Sequence, residues 1–326
     1  MNALVTLTEL GALVGEGLAA AEEHVRSATD PLPEKAGAAL SEMLQRGKRL
    51  RPLVLLLSAE ACGGYDQSSI RLAAVVELVH MASVVHDDVI DGTAWRRGLP
   101  AAPRRLGNRL AVVLGDMLVA TAWRGALASA VAGATTILAG ALMEMVTAEA
   151  SEMAATGHRV TEEQYLRTIG GKTAALFEAA ACLGAHSAGA PPEQVERLAA
   201  YGYHLGMAFQ VSDDLLDLFG DPLTLGKTTG ADLAAGVYTL PVIHACQAEG
   251  GEVLEPLLSA IRREHKGNGT TAEVVRPVRS LGGERYARAT VERSCAQAQD
   301  ALQALPPSAA REALADLTTL ILDREV

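Results

Sequence analysis

The sequence predicts an all-α protein, a single domain of long helices packed as an antiparallel bundle around a central cavity, and three observations carry that prediction. Apolar residues recur with a helical period almost throughout, and no run keeps the period-two alternation of a strand. Alanine and leucine lead the composition, with 49% apolar and only 3% aromatic residues, which favours helix over sheet. Glycine and proline breakers leave stretches of roughly 15–28 residues, long for globular helices and suited to a bundle.

Taken in chain order, the breakers are Pro31 and Pro33, Gly63-Gly64, Gly92, Pro100 to Pro103, Gly157, Pro191-Pro192, Gly220 to Pro222, Gly282-Gly283 and Pro306-Pro307. Two loops stand out. Gly92 to Arg109 carries Arg96, Arg97, Arg104, Arg105 and Arg109, and Gly220 to Gly236 is rich in Gly and Thr with one lysine, Lys227. No linker, low-complexity tract or tandem repeat divides the 326 residues, so residues 1–326 read as one domain.

A formal charge of -11 argues against a nucleic-acid partner, which needs a basic surface. Anionic ligands must then be held by local Arg or Lys clusters or by bound cations. Cys62, Cys182, Cys246 and Cys295 form no CxxC pair, and a buried, reduced role in the cytosol suits them. The apolar stretch Leu40–Leu57 is broken by Lys48, Arg49 and Arg51 and is too charged to span a bilayer. The first basic residue is Arg26, so the basic start of an export signal is missing. No transmembrane segment is expected, and the chain reads as cytoplasmic.

Each standout loop follows three aspartates. Asp87, Asp88 and Asp91 stand in VVHDDVIDG, and Asp213, Asp214 and Asp217 in FQVSDDLLDLFGDP. Positions i and i+4 share a helix face and i+1 lies about 100° round, so three carboxylates converge on one edge. Gly92 and Gly220 end the helices just beyond. Anions in a last turn oppose the helix dipole, by about 0.3–1 kcal/mol each, and repel one another. A divalent cation removes both penalties, and oxygen-only ligands suit Mg²⁺, which takes one or two carboxylates plus phosphate oxygens. A single cluster of this kind could be a solvated acidic cap. Here Val89, Ile90, Leu215 and Leu216 are apolar and the pattern occurs twice, each time before a cation-bearing loop, which favours the metal reading.

The cations complete the pattern. Lys48 and Arg51, in GKRLRP, share a helix face; Arg96 and Arg97 follow the first triplet; Lys172 and Thr173 lie in GGKTAALF; Lys227 follows the second triplet. Guanidinium forks match diphosphate oxygens.

GKRLRP, HMASVVHDDVIDGTAWRRG, GDMLVATA, GGKTAALF and FQVSDDLLDLFGDP through GKTTGADLAAGVYTLPVI, in that order from Gly47 to Ile243, resemble the motifs of the trans-isoprenyl diphosphate synthases, the polyprenyl synthetase family. The resemblance implies the isoprenoid synthase type I fold and a prenyltransferase that joins isopentenyl diphosphate to an allylic diphosphate. It implies that Asp87, Asp88, Asp91 and Asp213 hold Mg²⁺, while Asp214 and Asp217 orient metal-bound waters and the second metal site, Asp217 as one of its ligands. Arg96, Lys172 and Lys227 would contact the allylic diphosphate. Lys48, Arg51, His80 and Arg97 would hold isopentenyl diphosphate, and Thr173 and Gln210 would set their dipoles near the developing carbocation. A lone His in an apolar helix is commonly a satisfied core residue, but His80 lies two turns before Asp87, where relatives carry His or Gln. His86 reads as a structural neighbour of the site. Two departures stand out: Val237 replaces a lysine that many relatives use for the allylic diphosphate, and the segment around Glu149 matches loosely. A homodimer is the implied assembly.

The chemistry needs no protein nucleophile. Metal serves the diphosphate that leaves, cations alone anchor the one that stays, and an apolar channel keeps water from the cation. The departing diphosphate is the base for the last proton. Product length should follow channel depth, since one helical turn rises about 5.4 Å, near one extended isoprene unit. Back from Asp87 stand Ser83 and Ala82, then Val79 and Val76, with no aromatic plug of the kind that stops growth at farnesyl or geranylgeranyl length. A product longer than geranylgeranyl is expected, although Trp123 could form a channel floor. The alternatives are a geranylgeranyl diphosphate synthase, a catalytic subunit that needs a partner, and a class I terpene cyclase. Cyclases lack the paired GKRLRP and RRG cations and carry a different second acidic motif.

Overall fold

The computed structural model describes residues 7–27, 34–45, 47–96, 98–221, 229–264 and 271–323. Among them helix dominates, as the sequence predicts. The helices are α1 (Leu7–Ala12), α2 (Gly15–Ser27), α3 (Glu34–Gln45), α4 (Leu50–Ala61), α5 (Gln67–Ile90), α6 (Ala102–Leu106), α7 (Asn108–Ala128), α8 (Ala134–Ala155), α9 (Glu162–Ile169), α10 (Ala175–Ser187), α11 (Pro192–Phe219), α12 (Ala231–Ala234), α13 (Leu240–Gln247), α14 (Leu254–Glu264), α15 (Thr271–Ser280), α16 (Gly283–Ala301) and α17 (Ala309–Leu322). The exception is a small antiparallel ladder in the arginine-bearing loop, β1 (Trp95–Arg96) on β2 (Leu99–Pro100), turned at Gly98 with φ 77°. Two residues per strand are too few for an alternating pattern to register. The turn between α7 and α8, with Ala130 and Gly133 at positive φ, also lacks the paired breakers that mark the other boundaries.

The chain packs as two compact units, each drawn from three stretches: residues 1–142, 176–202 and 302–316, and residues 143–175, 203–301 and 317–326. In the first, α5 is the axis. Its start is fixed by a capping box, in which the Asp66 carboxylate accepts the N–H groups of Ser68 and Ser69 at 2.8 and 3.0 Å while Ser69 Oγ accepts the Asp66 N–H at 3.2 Å. Residues 72–79 are buried without a break, so that stretch of α5 is covered on all sides and lacks a polar face. It packs on α7 above all, then on α2 and α4. Two glycines of α7 permit that approach. A Cβ on Gly115 would enter the His86 ring, and one on Gly125 would lie 2.7 Å from Val75 Cγ2. By length and apolarity α5 and α7 could each cross a membrane. In the fold, 72% of the α5 span is buried inside the protein and 33% of the α7 span.

In the second unit α9 begins with its own capping box, Thr161 with Gln164, and passes into a π-helical turn, Gly170–Ala174. A Cβ on Gly171 would sit 2.7 Å from Ala148 Cβ and 2.8 Å from Glu144 O on α8, so only glycine lets the two segments meet. The four cysteines are free thiols. Burial pushes Cys62 and Cys182 up to about 11 and Cys295 up to about 12.

Candidate active site

The first triplet ends α5 as the glycine at its end implies. Asp91 is the cap residue and Gly92 takes φ 62°. The Thr93 N–H reaches Asp88 O at 2.9 Å and the Gly92 N–H reaches Val89 O at 3.4 Å, a Schellman closure that satisfies the last carbonyls. The three carboxylates then occupy different environments: Asp88 is buried, Asp87 half-buried and Asp91 exposed. Arg96 Nε donates to Asp88 Oδ1 at 2.7 Å. Burial pushes the Asp88 carboxyl up, and Arg96 opposes that rise. Arg96 thus sits on the triplet itself; Arg97 lies outside the described residues. His86 lies beside Gly115, with Nε2 3.6 Å from Asp116 Oδ1.

The same unit holds the cations expected to bind isopentenyl diphosphate. Lys48 directly precedes the cap of α4, and the Arg51 guanidinium lies 4.5 Å over the ring of Phe177. His80 is half-buried on α5. Of the residues expected to set product length, Val79 and Ala82 are buried, while Ser83 and Trp123 are half-buried. The Ser83 hydroxyl turns back to its own helix and donates to His80 O at 2.9 Å.

The second unit orders its triplet differently. Asp213 and Asp217 lie one turn apart on α11, and Gly220 closes the helix on Leu216 O at 3.1 Å. Asp217 Oδ2 accepts the Asp232 N–H at 3.2 Å, which ties the start of α12 to the triplet. Asp214 is 4% exposed. Tyr165 Oη donates to its Oδ2 at 2.6 Å and Gln210 Nε2 to its Oδ1 at 2.7 Å. The Gln210 amide is oriented by this bond, and its Oε1 accepts from Thr173 Oγ1 at 2.6 Å. Burial, reinforced by the charge of Asp232, pushes the Asp214 carboxyl well above the usual carboxylate range. Lys172 leaves the π turn toward α8, where Nζ meets Glu149 at 2.8 Å and also pairs with Glu152. Burial disfavours its ammonium, but Glu152 and Glu149 more than offset this and raise its pKa. Lys227 lies outside the described residues. Val237 follows α12 with its N–H on Asp232 O at 2.9 Å.

The donor chemistry fits magnesium. Asp87 with Asp91 and Asp213 with Asp217 offer hard oxygen pairs at i,i+4 spacing. Among the described residues no group of three or more His, Cys, Asp or Glu side chains is arranged to hold a metal ion by itself. Magnesium asks for such a partial set, because water and phosphate oxygens fill the rest of its octahedron. Asp214, whose two oxygens serve Tyr165 and Gln210, orients its surroundings instead.

Sequence reasoning missed Tyr165, Glu152 and Asp232. A tyrosine at a buried position in the otherwise polar EEQYLRT was the signal for the first; nothing local marked the other two.

The family described as polyprenyl synthetase matches residues 33–278. The octaprenyl diphosphate synthase of Escherichia coli is 35% identical over 282 residues, covering 86% of each chain. The all-trans-nonaprenyl-diphosphate synthase (geranyl-diphosphate specific) of Rhodobacter capsulatus is 38% identical, covering 85% of each. The crystal structure of a polyprenyl synthase from Caulobacter crescentus, complexed with calcium and isoprenyl diphosphate, superimposes with a TM-score of 0.92 at 31% identity, covering 100% of both chains.

Proposed function

The chain belongs to the polyprenyl synthetase family, and from that premise we propose that it is a long-chain polyprenyl diphosphate synthase. It condenses isopentenyl diphosphate with an allylic diphosphate in a magnesium-dependent reaction. The observation that carries this reading is the duplicated acid triplet at the ends of α5 and α11, each with a cation in its own unit: Arg96 on Asp88, and Lys172 on α8 carboxylates.

Bound magnesium supplies the positive charge that lets the allylic diphosphate leave. Asp87, Asp88 and Asp91 of the first triplet, and Asp213 and Asp217 of the second, would each offer such ions oxygen ligands. Lys172 is charged and already oriented by Glu149 and Glu152, so it meets the diphosphate without a search for geometry. The Thr173 hydroxyl proton is committed to Gln210, which leaves its oxygen lone pairs to face the allylic carbon as positive charge develops. Lys48, Arg51, His80 and Arg97 hold the diphosphate that is kept, and Lys227 joins Arg96 and Lys172 on the one that leaves. The aliphatic wall of α5 at Val76, Val79 and Ala82 excludes water.

Relatives named for octaprenyl and nonaprenyl products and the small α5 side chains before Asp87 together favour a product longer than geranylgeranyl. The exposed apolar residues of α7 and α8 favour a homodimer, and four free thiols suit a cytoplasmic enzyme.

The test is direct. The purified chain is incubated with labelled isopentenyl diphosphate and each allylic primer, with magnesium or with a chelator. Long prenyl chains with magnesium and none with chelator are expected. Equal turnover in chelator, or a product that stops at geranylgeranyl, overturns the corresponding part. Activity that appears only with a second protein assigns the chain as one subunit of a pair.

A further inference from the structure

Arg49 breaks three local rules at once. It is the cap residue of α4, where a side-chain acceptor is preferred and arginine has none; no side-chain capping bond is made. Its backbone is left-handed, φ 52° and ψ 31°, a region that costs a non-glycine residue free energy and is kept where the surroundings enforce it. Its guanidinium is nearly buried, the side chain 10% exposed, which desolvates a group that cannot lose its charge.

The surroundings account for all three. Arg49 Nε donates to Glu22 on α2 at 3.0 Å, Nη1 donates to Glu77 on α5 at 3.1 Å, and Nη2 donates to Leu44 O on α3. Glu77 is itself only 6% exposed along its side chain. A small cavity lined by Leu18, Ala21, Val25 and Pro52 borders the pair and keeps it in apolar surroundings. Burial pushes the Glu77 carboxyl up while Arg49 and then Arg51 pull it down, so Glu77 also feels the charge of Arg51. A Cβ on Gly47 would overlap the Arg49 guanidinium, which explains the glycine of GKRLRP. One side chain therefore ties three helices to the turn that carries Lys48 before it and Arg51 after it, and its partner Glu77 lies one turn before His80.

A buried ion pair contributes little net stability against a well-packed apolar pair of similar volume, so stability alone is a weak account of this arrangement. We propose that Arg49, held by Glu77, is a positioning residue for the isopentenyl diphosphate site: it sets the left-handed turn that aims Lys48 and Arg51 beside His80. This rests on the reading that those three side chains hold isopentenyl diphosphate.

The experiment compares Arg49→Lys, Glu77→Gln and the apolar pair Arg49→Met/Glu77→Leu, with Lys48→Ala and Arg51→Ala alongside. Steady-state constants are measured for each substrate, together with the thermal midpoint. The apolar pair is expected to melt near wild type yet to show KM for isopentenyl diphosphate raised about tenfold, with KM for the allylic diphosphate and kcat within about twofold. Arg49→Lys, which keeps the charge but not the fork, should show the same split. Equal changes for both substrates, or full activity in a stable apolar pair, overturn the proposal. Should the apolar pair fail to fold, Arg49→Lys and Glu77→Gln decide by the same split. If Lys48→Ala and Arg51→Ala leave that KM unchanged, the underlying site reading fails instead.

Discussion

Tyr165 reaches Asp214 from the buried face of a short helix whose other faces are polar, and its hydroxyl is one of two donors to a carboxylate removed from water. Tyr165→Phe leaves one oxygen of that group without its donor, a change that costs about 1–3 kcal/mol when the site is buried. The Thr173–Gln210–Asp214 chain loses its anchor, so kcat is expected to fall about tenfold, by roughly 1.4 kcal/mol of barrier, while the fold survives; steady-state rates and a thermal melt check both. The pH response of Asp214 has a definite sign. Its folded pKa is raised by burial, so the folded chain holds more protons than the unfolded one above the unfolded value of about 3.9. Its contribution to stability is therefore complete below that value and is lost as pH rises toward the folded pKa. Asp214→Asn should flatten the dependence of the thermal midpoint on pH as pH rises above about 4 in chelator; an unchanged slope would show that Asp214 does not titrate there. The aspartates were legible because i, i+1, i+4 spacing is a local code, written twice. Glu152 and Glu77 were not, since their partners arrive from other helices and nothing local announces them.

At the scale of elements, α5 and α7 explain each other. α7 needs glycine at Gly115 because the His86 ring occupies the space of a Cβ, and His86 directly precedes Asp87. Gly115→Ala should destabilise the chain by about 1–3 kcal/mol, the range for overpacking, and slow turnover by displacing the first triplet. His86→Ala in the same chain vacates the clash, so the double variant should recover most of the lost stability, and a mutant cycle of melting free energies measures that coupling. On α5 itself, Ala82→Phe puts an aromatic ring five residues before Asp87. Chromatography of the products should show shorter chains with turnover retained; unchanged length would mean that the growing chain does not pass Ala82. Element boundaries were readable where glycine or proline bounded a helix, as at Gly92 and Gly220, which end helices, and Pro192, which begins one. The β1–β2 ladder and the turn at residues 129–133 were not, because neither carries a period or a paired breaker.

For the whole molecule, composition spoke before any contact did: few aromatics, abundant alanine and leucine, and long uninterrupted stretches describe a helical protein with more apolar helix surface than one chain covers. The structure locates part of that surface. α8 exposes Ala139, Met143, Val146, Ala150 and Met153, with Met143 67%, Val146 64% and Met153 53% exposed. The spacing alternates four and three residues, the seam by which one helix packs against another. On α7, Val112, Val113 and Leu127 are also exposed, Leu127 at 71%. Exposed apolar residues aligned in a row, rather than scattered, mark an association surface, and with no second chemistry on these faces a copy of the same chain is the proposed occupant. Charges placed on the seam should then separate the copies: Met143→Glu with Val146→Lys is expected to turn a particle of twice the 34.0 kDa chain mass into a single chain, read by light scattering on a sizing column. Both positions are solvent-facing in the isolated chain, so the variant should keep its helicity. A wild-type chain that runs as a monomer at every concentration, or a variant that stays paired, would remove α8 as the contact.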